Sequence, residues 1–176
     1  MNSIPQLIPH YSVSDYQQWA GDWELWNGVP IARGPSPFLP HGAFAAILAC
    51  AFQNALKRAK TNRWTLIQEI DWIIDQHTVV RPDLMLIAGR PTNSHLTVPP
   101  VLVVEILSPA TEEKDRNAKF LLYQLQGVRY YVIADPISQH LEVFQLESRV
   151  YRQLPATDPL MLVLDDVDAI ELSFEE

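Results

Sequence analysis

Two acidic residues occupy apolar surroundings in the sequence. Glu105 interrupts an almost continuous apolar run at residues 101–107, and Asp83 follows Pro82, 22 residues before Glu105. Carboxylates on adjacent strands provide the hard oxygen ligands that Mg²⁺ prefers, with water and a substrate phosphate completing the coordination. The pair therefore predicts a metal site. The other interpretation is that Glu105 ends a strand and pairs with an arginine, because an unpaired buried carboxylate is costly.

The segments around these acids have the composition of β-strands. The run at residues 101–107 is typical of a strand buried on both faces. Bulky and β-branched residues predict further strands, at residues 64–74, 79–87, 130–134 and 141–146. If the strands that carry Asp83 and Glu105 are neighbours in one sheet, the two carboxylates can meet.

Helical patterns separate these strands. Residues 41–60 contain no proline and repeat apolar side chains at helical spacing, which predicts a first long helix. A second helix is predicted from Thr111 as N-cap to Gly127 as C-terminal stop. The order helix, three strands, helix, two strands predicts an α/β (α+β) fold in which helices flank a mixed central β-sheet.

The two ends of the chain differ in composition from this central part. Six prolines fall within the first forty residues, and residues 23–26 precede Asn27-Gly28, which predicts a hairpin among loops at residues 1–40. The segment from about residue 153 contains seven acids and no Lys or Arg, and we interpret it as an acidic tail. With 176 residues and 48% hydrophobic content, we expect one domain over residues 1–176.

The net charge of −8 counts against nucleic-acid binding, since Lys and Arg normally supply phosphate contacts. Residues 1–152, however, carry 13 bases and 14 acids, so most of the excess belongs to the C-terminal segment. A carboxylate metal site is itself acidic before the ion binds. The net charge therefore neither excludes nor supports nucleic-acid binding.

Compartment and membrane association follow from simple sequence features. The single cysteine, Cys50, cannot form an intrachain disulfide, and its apolar neighbours predict a buried position. The first residues lack the basic segment and apolar core of a signal peptide. We expect a cytoplasmic protein without membrane association.

An ordered set of motifs resembles a known family. The resemblance extends over about residues 23–136. The motifs that carry it are Arg81-Pro82-Asp83-Leu84, Val103-Val104-Glu105-Ile106-Leu107-Ser108-Pro109, Asp115, Lys119, Tyr123, Gly127-Val128 and Tyr131-Val132-Ile133-Ala134-Asp135-Pro136. In this order the motifs are far more specific than any one of them. The sequence resembles the restriction endonuclease family called Uma-two, within the PD-(D/E)xK nuclease superfamily.

The resemblance implies a restriction-endonuclease-like core and hydrolysis of DNA phosphodiester bonds. Asp83 and Glu105 would be the catalytic acids that bind Mg²⁺, or Mn²⁺, which accepts the same ligands. The superfamily's usual lysine would occupy position 107, where this sequence has leucine. The resemblance points instead to Lys119 on the following helix. The alternative is a solvated lysine that pairs with Asp115 at i, i+4 spacing.

Four further residues are candidates by the same resemblance. His41 could assist the acidic site or begin the first helix, and Glu24 could be a third acidic group or an unremarkable surface residue. Ser108 could donate a hydrogen bond to Glu105, although a turn with Pro109 explains it equally. Asp115 could orient Lys119 or interact with the helix dipole.

Partners are predicted with less support from the residues. The basic group Lys57, Arg58, Lys60 and Arg63 could contact phosphates, but cations are also favoured at a helix C-terminus. By analogy with nucleases that cut two strands, we expect DNA as substrate and a homodimer. Two rivals remain: a nuclease fold without activity that serves as a binding module, and a hydrolase of another phosphate ester.

Overall fold

The computed structural model describes residues 9–34, 38–155 and 157–173. The helices are α1 (Val13–Tyr16), α2 (Leu39–Arg58), α3 (Glu112–Lys114) and α4 (Phe120–Leu125), and a π-helical turn (Asp115–Lys119) joins α3 to α4. The strands are β1 (Trp23–Trp26), β2 (Val29–Ala32), β3 (Trp64–Gln68), β4 (Trp72–Asp75), β5 (Thr78–Val80), β6 (Leu84–Ala88), β7 (Leu102–Ile106), β8 (Tyr130–Ala134), β9 (Leu141–Glu147), β10 (Val150–Gln153), β11 (Leu160–Val163) and β12 (Ala169–Leu172).

A six-stranded sheet forms the centre, in the order β10-β9-β8-β7-β6-β3. Strands β7 and β8 pair in parallel, and the other pairs are antiparallel. Alternate residues of β7 point to opposite faces: Val104 packs in the cluster that contains Phe52 of α2, and Val103 packs in the cluster that contains Tyr123 of α4. The mixed sheet between helices confirms the predicted fold class.

The predicted N-terminal hairpin is confirmed in β1 and β2. Asn27 and Gly28 join the two strands with φ values of 45° and 76°. Both values are positive, as in a two-residue type I′ turn, and Asn-Gly is the preferred sequence for that turn. The hairpin extends a smaller sheet in the order β2-β1-β5-β4, which places Glu24 of β1 beside the central sheet.

Two of the predicted strands are each divided in two. Residues 64–74 form β3 and β4 in different sheets, and Glu69 between them has a φ of 47°. Residues 79–87 form parts of β5 and β6, interrupted at Arg81-Pro82-Asp83. Proline has no N–H to donate to a ladder, so Pro82 favours such a break. The break places Asp83 at the start of a core strand.

The second predicted helix is present, but it contains the π-helical turn. It ends where Gly127 adopts a φ of 78°, as the C-terminal glycine predicted. Thr111 is the N-cap residue of α3, as predicted, although its side chain makes no capping hydrogen bond. Its hydroxyl instead lies 3.0 Å from Ser108 Oγ.

The segment after Gln153 is folded and is not an extended tail. Strands β11 and β12 form a hairpin whose leucines and Ile170 join the core beneath α2. Asp168 Oδ2 accepts hydrogen bonds from Thr61, Arg63 and Trp64. Asp165 and Asp168 of this segment therefore have structural partners, and Arg63 of the predicted basic group is already ion-paired.

One expectation about α2 is wrong. Cys50 is exposed, because it lies on the face of the helix away from the core. In the described part of the chain, α2 is the one helix that is long and apolar enough to cross a membrane, with a mean hydropathy of 1.3. That result is weak evidence of a membrane, since helices that pack on a core satisfy the same test, and one face of α2 does pack on the sheet.

Candidate active site

Asp83 directly precedes β6 and lies opposite Glu105 of the adjacent antiparallel strand β7. Leu84 pairs with Val104, so the next pair in register is Asp83 with Glu105. The backbone N–H of Ile106 donates to Asp83 Oδ2 across 2.7 Å and fixes that carboxylate. Both residues are almost fully buried, with 8% and 3% of their surface exposed. The fold therefore brings together the two acids that the sequence analysis named as metal ligands.

Lys119 reaches the same acids from the π-helical turn. Its Nζ donates to Glu105 Oε1 across 2.9 Å and lies 3.2 Å from Glu24 Oε1 and 3.7 Å from Asp115 Oδ1. Only 6% of the residue is exposed. The alternative of a solvated surface lysine is wrong, although the predicted pairing with Asp115 is present.

The π-helical turn explains how Asp115 and Lys119 both face the sheet. Both are buried, whereas the three residues between them are exposed. Isolated π turns within α-helices occur frequently at functional sites, because the wider turn changes the direction of side chains. Nothing in the residue types of this segment distinguishes a π turn from ordinary α-helix.

Glu24 is held from several directions, and the structure brings it to the site. Its Oε1 accepts the backbone N–H of Arg81 across 2.7 Å, and its Oε2 accepts the indole N–H of Trp26 across 3.1 Å. The remaining contact is the ion pair with Lys119. Glu24 thus links the small sheet to the buried lysine.

Two residues with direct contacts were not assigned a role from the sequence. Tyr123 donates its hydroxyl to Glu105 Oε1 across 2.6 Å. Its position four residues after Lys119 on the helix was an available signal, since such residues share a helix face. Arg33 follows β2, and its Nη2 lies 3.8 Å from Asp83 Oδ1. No local pattern around Arg33 indicates that position.

His41 lies beside Asp83, in the first turn of α2. The helix begins at Leu39 with Phe38 as N-cap, so His41 does not cap it. His41 Nε2 is 3.5 Å from Asp83 Oδ1, and the buried Nδ1 has no hydrogen-bond partner among the described residues. The structure therefore places His41 at the acidic site, as the resemblance implied.

Ser108 has the structural environment of a turn. Its backbone carbonyl accepts hydrogen bonds from the N–H groups of Thr111 and Glu112, and its hydroxyl pairs with that of Thr111. Within the described chain its hydroxyl makes no hydrogen bond to Glu105. The turn interpretation fits these contacts, and the predicted hydrogen bond to Glu105 is not formed.

A family model described as "Uma2: Putative restriction endonuclease" matches residues 13–175. The chain belongs to the Uma2 family. Its structure is similar to the crystal structure of a putative nuclease belonging to DUF820 from Anabaena variabilis ATCC 29413, with a TM-score of 0.69 and 17% sequence identity. That match covers 87% of this chain and 89% of the other, and it shows a shared fold. No curated protein matches the chain.

Membership of the Uma2 family supports a nuclease of the restriction endonuclease type at a coarse level. The resemblance noted from the motifs is thereby confirmed. The matched region extends well beyond the motifs and includes the β11–β12 hairpin. The C-terminal segment is thus part of the Uma2 match as well as part of the core.

Burial controls the ionisation of the acids in this Uma2 site. Burial and the Glu105 charge raise the pKa of Asp83 to about 7, and burial raises the pKa of Glu105 to about 7 against the influence of Lys119. Burial likewise raises the pKa of Asp115 to about 6. Burial opposes the charge of Lys119, but Glu105, Glu24 and Asp115 outweigh it and raise the lysine pKa. Lys119 is therefore a cation at neutral pH.

A cleft of about 540 Å³ opens onto these residues. It is lined by Asp22, Arg33, Gly34, Phe38, His41, Glu69, Asp83, Glu105, Ile106, Ser108, Pro109, Ala110, Thr111 and Lys119. Glu69, which the sequence analysis did not single out, enters this wall because its N–H donates to the Asp83 carbonyl. The buried carboxylates are thus accessible to a small ion and to one end of a substrate.

The carboxylates in the cleft fit a divalent cation. Asp83 Oδ2 and Glu105 Oε1 are occupied by hydrogen bonds, whereas the second oxygen of each accepts none from the described residues. The described residues contain no group of three or more His, Cys, Asp or Glu arranged to bind a metal. Mg²⁺ commonly needs only one or two carboxylates, since water and substrate oxygens complete its shell. Burial raises the pKa of both carboxylates, and a bound cation would favour their ionised forms.

Proposed function

We propose that this chain is a metal-dependent endonuclease that hydrolyses DNA phosphodiester bonds. The observation that carries the proposal is the facing pair of Asp83 and Glu105 in a cleft, with the buried cation of Lys119 bound to Glu105. Two carboxylates and a positioned cation at one point are the components that phosphodiester hydrolysis requires. Family membership gives the coarse class, and the site geometry supports the finer assignment.

Asp83 and Glu105 would hold Mg²⁺ or Mn²⁺ through the oxygens that their hydrogen bonds leave free. When bound, the ion supplies an activated water nucleophile and neutralises charge on the phosphate. The Ile106 N–H fixes Asp83, and Tyr123 and Lys119 fix Glu105, so neither carboxylate needs to reorient when an ion binds. Such preorganisation lowers the cost of reaching the transition state.

Lys119 would contribute positive charge to the reaction, and its raised pKa makes it unsuitable as a general base. A buried ammonium group near the scissile phosphate stabilises the charge that develops on the phosphate oxygens. Its second effect is on Glu105, whose pKa it lowers against the effect of burial, which favours the ionised form that binds metal. Glu24 and Asp115 would act through Lys119 by holding it in place.

DNA as the substrate, a homodimer and a cytoplasmic location complete the proposal. The cleft is lined by the cations Arg33 and Lys119 and by four acids, so a divalent cation bound there would offset negative charge that opposes a phosphate. Lys57 lies roughly 25 Å from His41 along α2, too far to contact the scissile phosphate. A symmetric dimer would provide one site for each strand of a duplex.

Cleavage of supercoiled plasmid and of single-stranded DNA with Mg²⁺ or Mn²⁺ tests the proposal. The variants are Asp83→Asn, Glu105→Gln and Lys119→Met, and the exposed Glu113→Gln is a matched control for removal of one acidic charge. We expect cutting that EDTA abolishes, that the three site variants lose and that Glu113→Gln retains. Mg²⁺ should also raise the melting temperature of the wild type and of Glu113→Gln but not of Asp83→Asn.

Other outcomes would favour the rival functions. Metal-dependent stabilisation without cleavage of any DNA, but with hydrolysis of a small phosphodiester such as bis-p-nitrophenyl phosphate, would indicate another phosphate ester as substrate. Absence of both activities and of metal binding would indicate a nuclease fold that serves as a binding module. The inward position of Lys119 favours an active site over that last possibility.

A further inference from the structure

Arg33 occupies an unusual position at the wall of the cleft. The residue follows the β1–β2 hairpin, and its backbone N–H donates to the carbonyl of Asp22 across 3.0 Å. Its side chain is 19% exposed and lines the cleft beside Asp83. The backbone is therefore fixed, and the guanidinium group is held at the mouth of the carboxylate pair.

The guanidinium group of Arg33 has ion-pair neighbours but no hydrogen bond to any described residue. Its Nη2 lies 3.8 Å from Asp83 Oδ1, and its Nη1 lies 3.6 Å from Asp22 Oδ1. Both distances exceed the range of an N–H···O hydrogen bond. Asp22 Oδ1 is already bound at 2.6 Å by Arg81 Nη1, so Asp22 has a closer cationic partner. A mostly buried arginine normally satisfies more of its five donors.

The other cations of the cleft are committed to protein groups. Lys119 is held among Glu105, Glu24 and Asp115. Arg81, which does not line the cleft, is bound to Asp71, Asp22 and Tyr16. Among the described cleft residues, Arg33 is thus the permanent cation whose donors remain available to a ligand. The ligand must be an anion small enough to lie next to Asp83.

We infer that Arg33 donates hydrogen bonds to the nonbridging oxygens of the scissile phosphate of the substrate, an inference that rests on the proposed function. The planar fork of donors matches two phosphate oxygens, and Arg33 lies on the side of Asp83 that carries the free oxygen. It would therefore hold the phosphate against the carboxylates that bind the metal. A phosphate at this place would provide the hydrogen bonds that the guanidinium group lacks.

The experiment compares Arg33→Gln and Arg33→Lys with Arg152→Gln. Arg152 is exposed on β10, three strands away from β7 in the central sheet, and its replacement removes the same charge far from the cleft. Two readouts are measured on a fluorescein-labelled 20-base-pair duplex: kcat and KM for cleavage with Mg²⁺, and affinity in EDTA at several salt concentrations. Thermal melting checks that each variant is folded.

We expect Arg33→Gln to lower kcat/KM by about 10- to 100-fold, the effect of losing a charged hydrogen bond. Arg33→Lys should recover part of this loss, because it keeps the charge but not the fork. The salt dependence of duplex affinity should weaken in Arg33→Gln by about 0.9 in the slope of log affinity against log salt, the value for one phosphate contact. Arg152→Gln should match the wild type in all readouts.

The possible failures can be told apart. If the wild type cleaves the duplex and Arg33→Gln cleaves it equally well, the assignment of Arg33 is overturned while the proposed function stands. If no version cleaves but Arg33→Gln weakens duplex binding and its salt slope, the phosphate contact stands and the proposed hydrolysis fails. If no version cleaves, and the wild type and Arg33→Gln bind the duplex equally or not at all, the assignment of Arg33 is overturned.

Discussion

Lys119 donates a hydrogen bond from Nζ to Oε1 of Glu105 across 2.9 Å, although the two residues come from a helix and a strand separated in sequence by a turn. The contact reaches across the sheet face, and position 107, where the resemblance noted from the motifs would place a lysine, is a leucine. Leu107 instead joins the core cluster of Tyr123 and Val103. The cation beside Glu105 is thus supplied by the helix that follows β7.

The buried Lys119–Glu105 pair should be essential for stability. Lys119→Met leaves several acids without their shared cation, and we expect a loss of about 3–5 kcal/mol in the free energy of unfolding, measured with urea. The double variant Lys119→Met/Glu105→Gln should recover part of that loss, since it removes one of the stranded charges. A loss below about 1 kcal/mol would show that the pair contributes no more to stability than an ordinary surface ion pair does.

Glu24 should act by positioning Lys119. Glu24→Gln keeps an oxygen for the Arg81 N–H but removes the charge that faces the lysine. We expect a lower kcat with little change in KM, and a smaller loss of stability than in Glu24→Ala, which also strands the Arg81 N–H and the Trp26 indole. Equal stability of the two variants, measured by thermal melting, would argue against this role.

Tyr123→Phe tests the hydrogen bond to Glu105 without removing the buried ring. The hydroxyl lowers the pKa of Glu105, so its loss should raise that pKa further. We expect destabilisation of about 1–3 kcal/mol. The acidic limb of the pH–rate profile should move to higher pH, because Glu105 must be ionised to bind metal. Tyr11→Phe, at a half-buried tyrosine away from the cleft, is a suitable control.

The metal-free protein should lose stability as the pH rises from about 4 to about 7. Asp83 and Glu105 have folded pKa values of about 7, above their ordinary values near 4, so the folded state binds more protons in this interval. Their favourable contribution is complete below about pH 4 and disappears as the pH passes about 7. Asp115, with a pKa of about 6, acts in the same direction.

Urea midpoints measured across that pH range in EDTA check this expectation. The double variant Asp83→Asn/Glu105→Gln should show a flatter dependence, since it removes two of the three titrating groups. Saturating Mg²⁺ should restore stability at about pH 8 in the wild type, because a cation compensates the ionised pair. A stability that increases steadily with pH in EDTA would show that the carboxylates are ionised without cost.

Asp168 should secure the C-terminal hairpin to the rest of the fold. Its Oδ2 accepts from Thr61, Arg63 and Trp64, so Asp168→Ala should destabilise the protein by about 2–3 kcal/mol. Asp166→Ala, an exposed neighbour, should change stability by less than about 0.5 kcal/mol. Activity per folded molecule should remain unchanged, since neither residue lines the cleft.

The sequence alone identified the elements whose signals are local. Asn27-Gly28 specifies a hairpin turn through its positive φ values, and the apolar run around Glu105 identifies a strand buried on both faces. Asp83 and Glu105 were named because acids beside apolar strand residues are visible without coordinates, whereas Lys119 was named only through the family resemblance. The turn and the strand depend on neighbours within a few residues, and turn chemistry or periodicity reports them.

Tertiary structure decided everything that depends on distant partners. The direction of Lys119 follows from a π-helical turn without a sequence signal, and Arg33 reaches Asp83 only because the hairpin packs against the central sheet. The acids of the C-terminal segment were interpreted as a tail because their partners are distant in sequence. Asp168, for example, binds Arg63, more than one hundred residues away. Contacts of that range, together with burial that shifts carboxylate pKa values, arise only when the chain is folded.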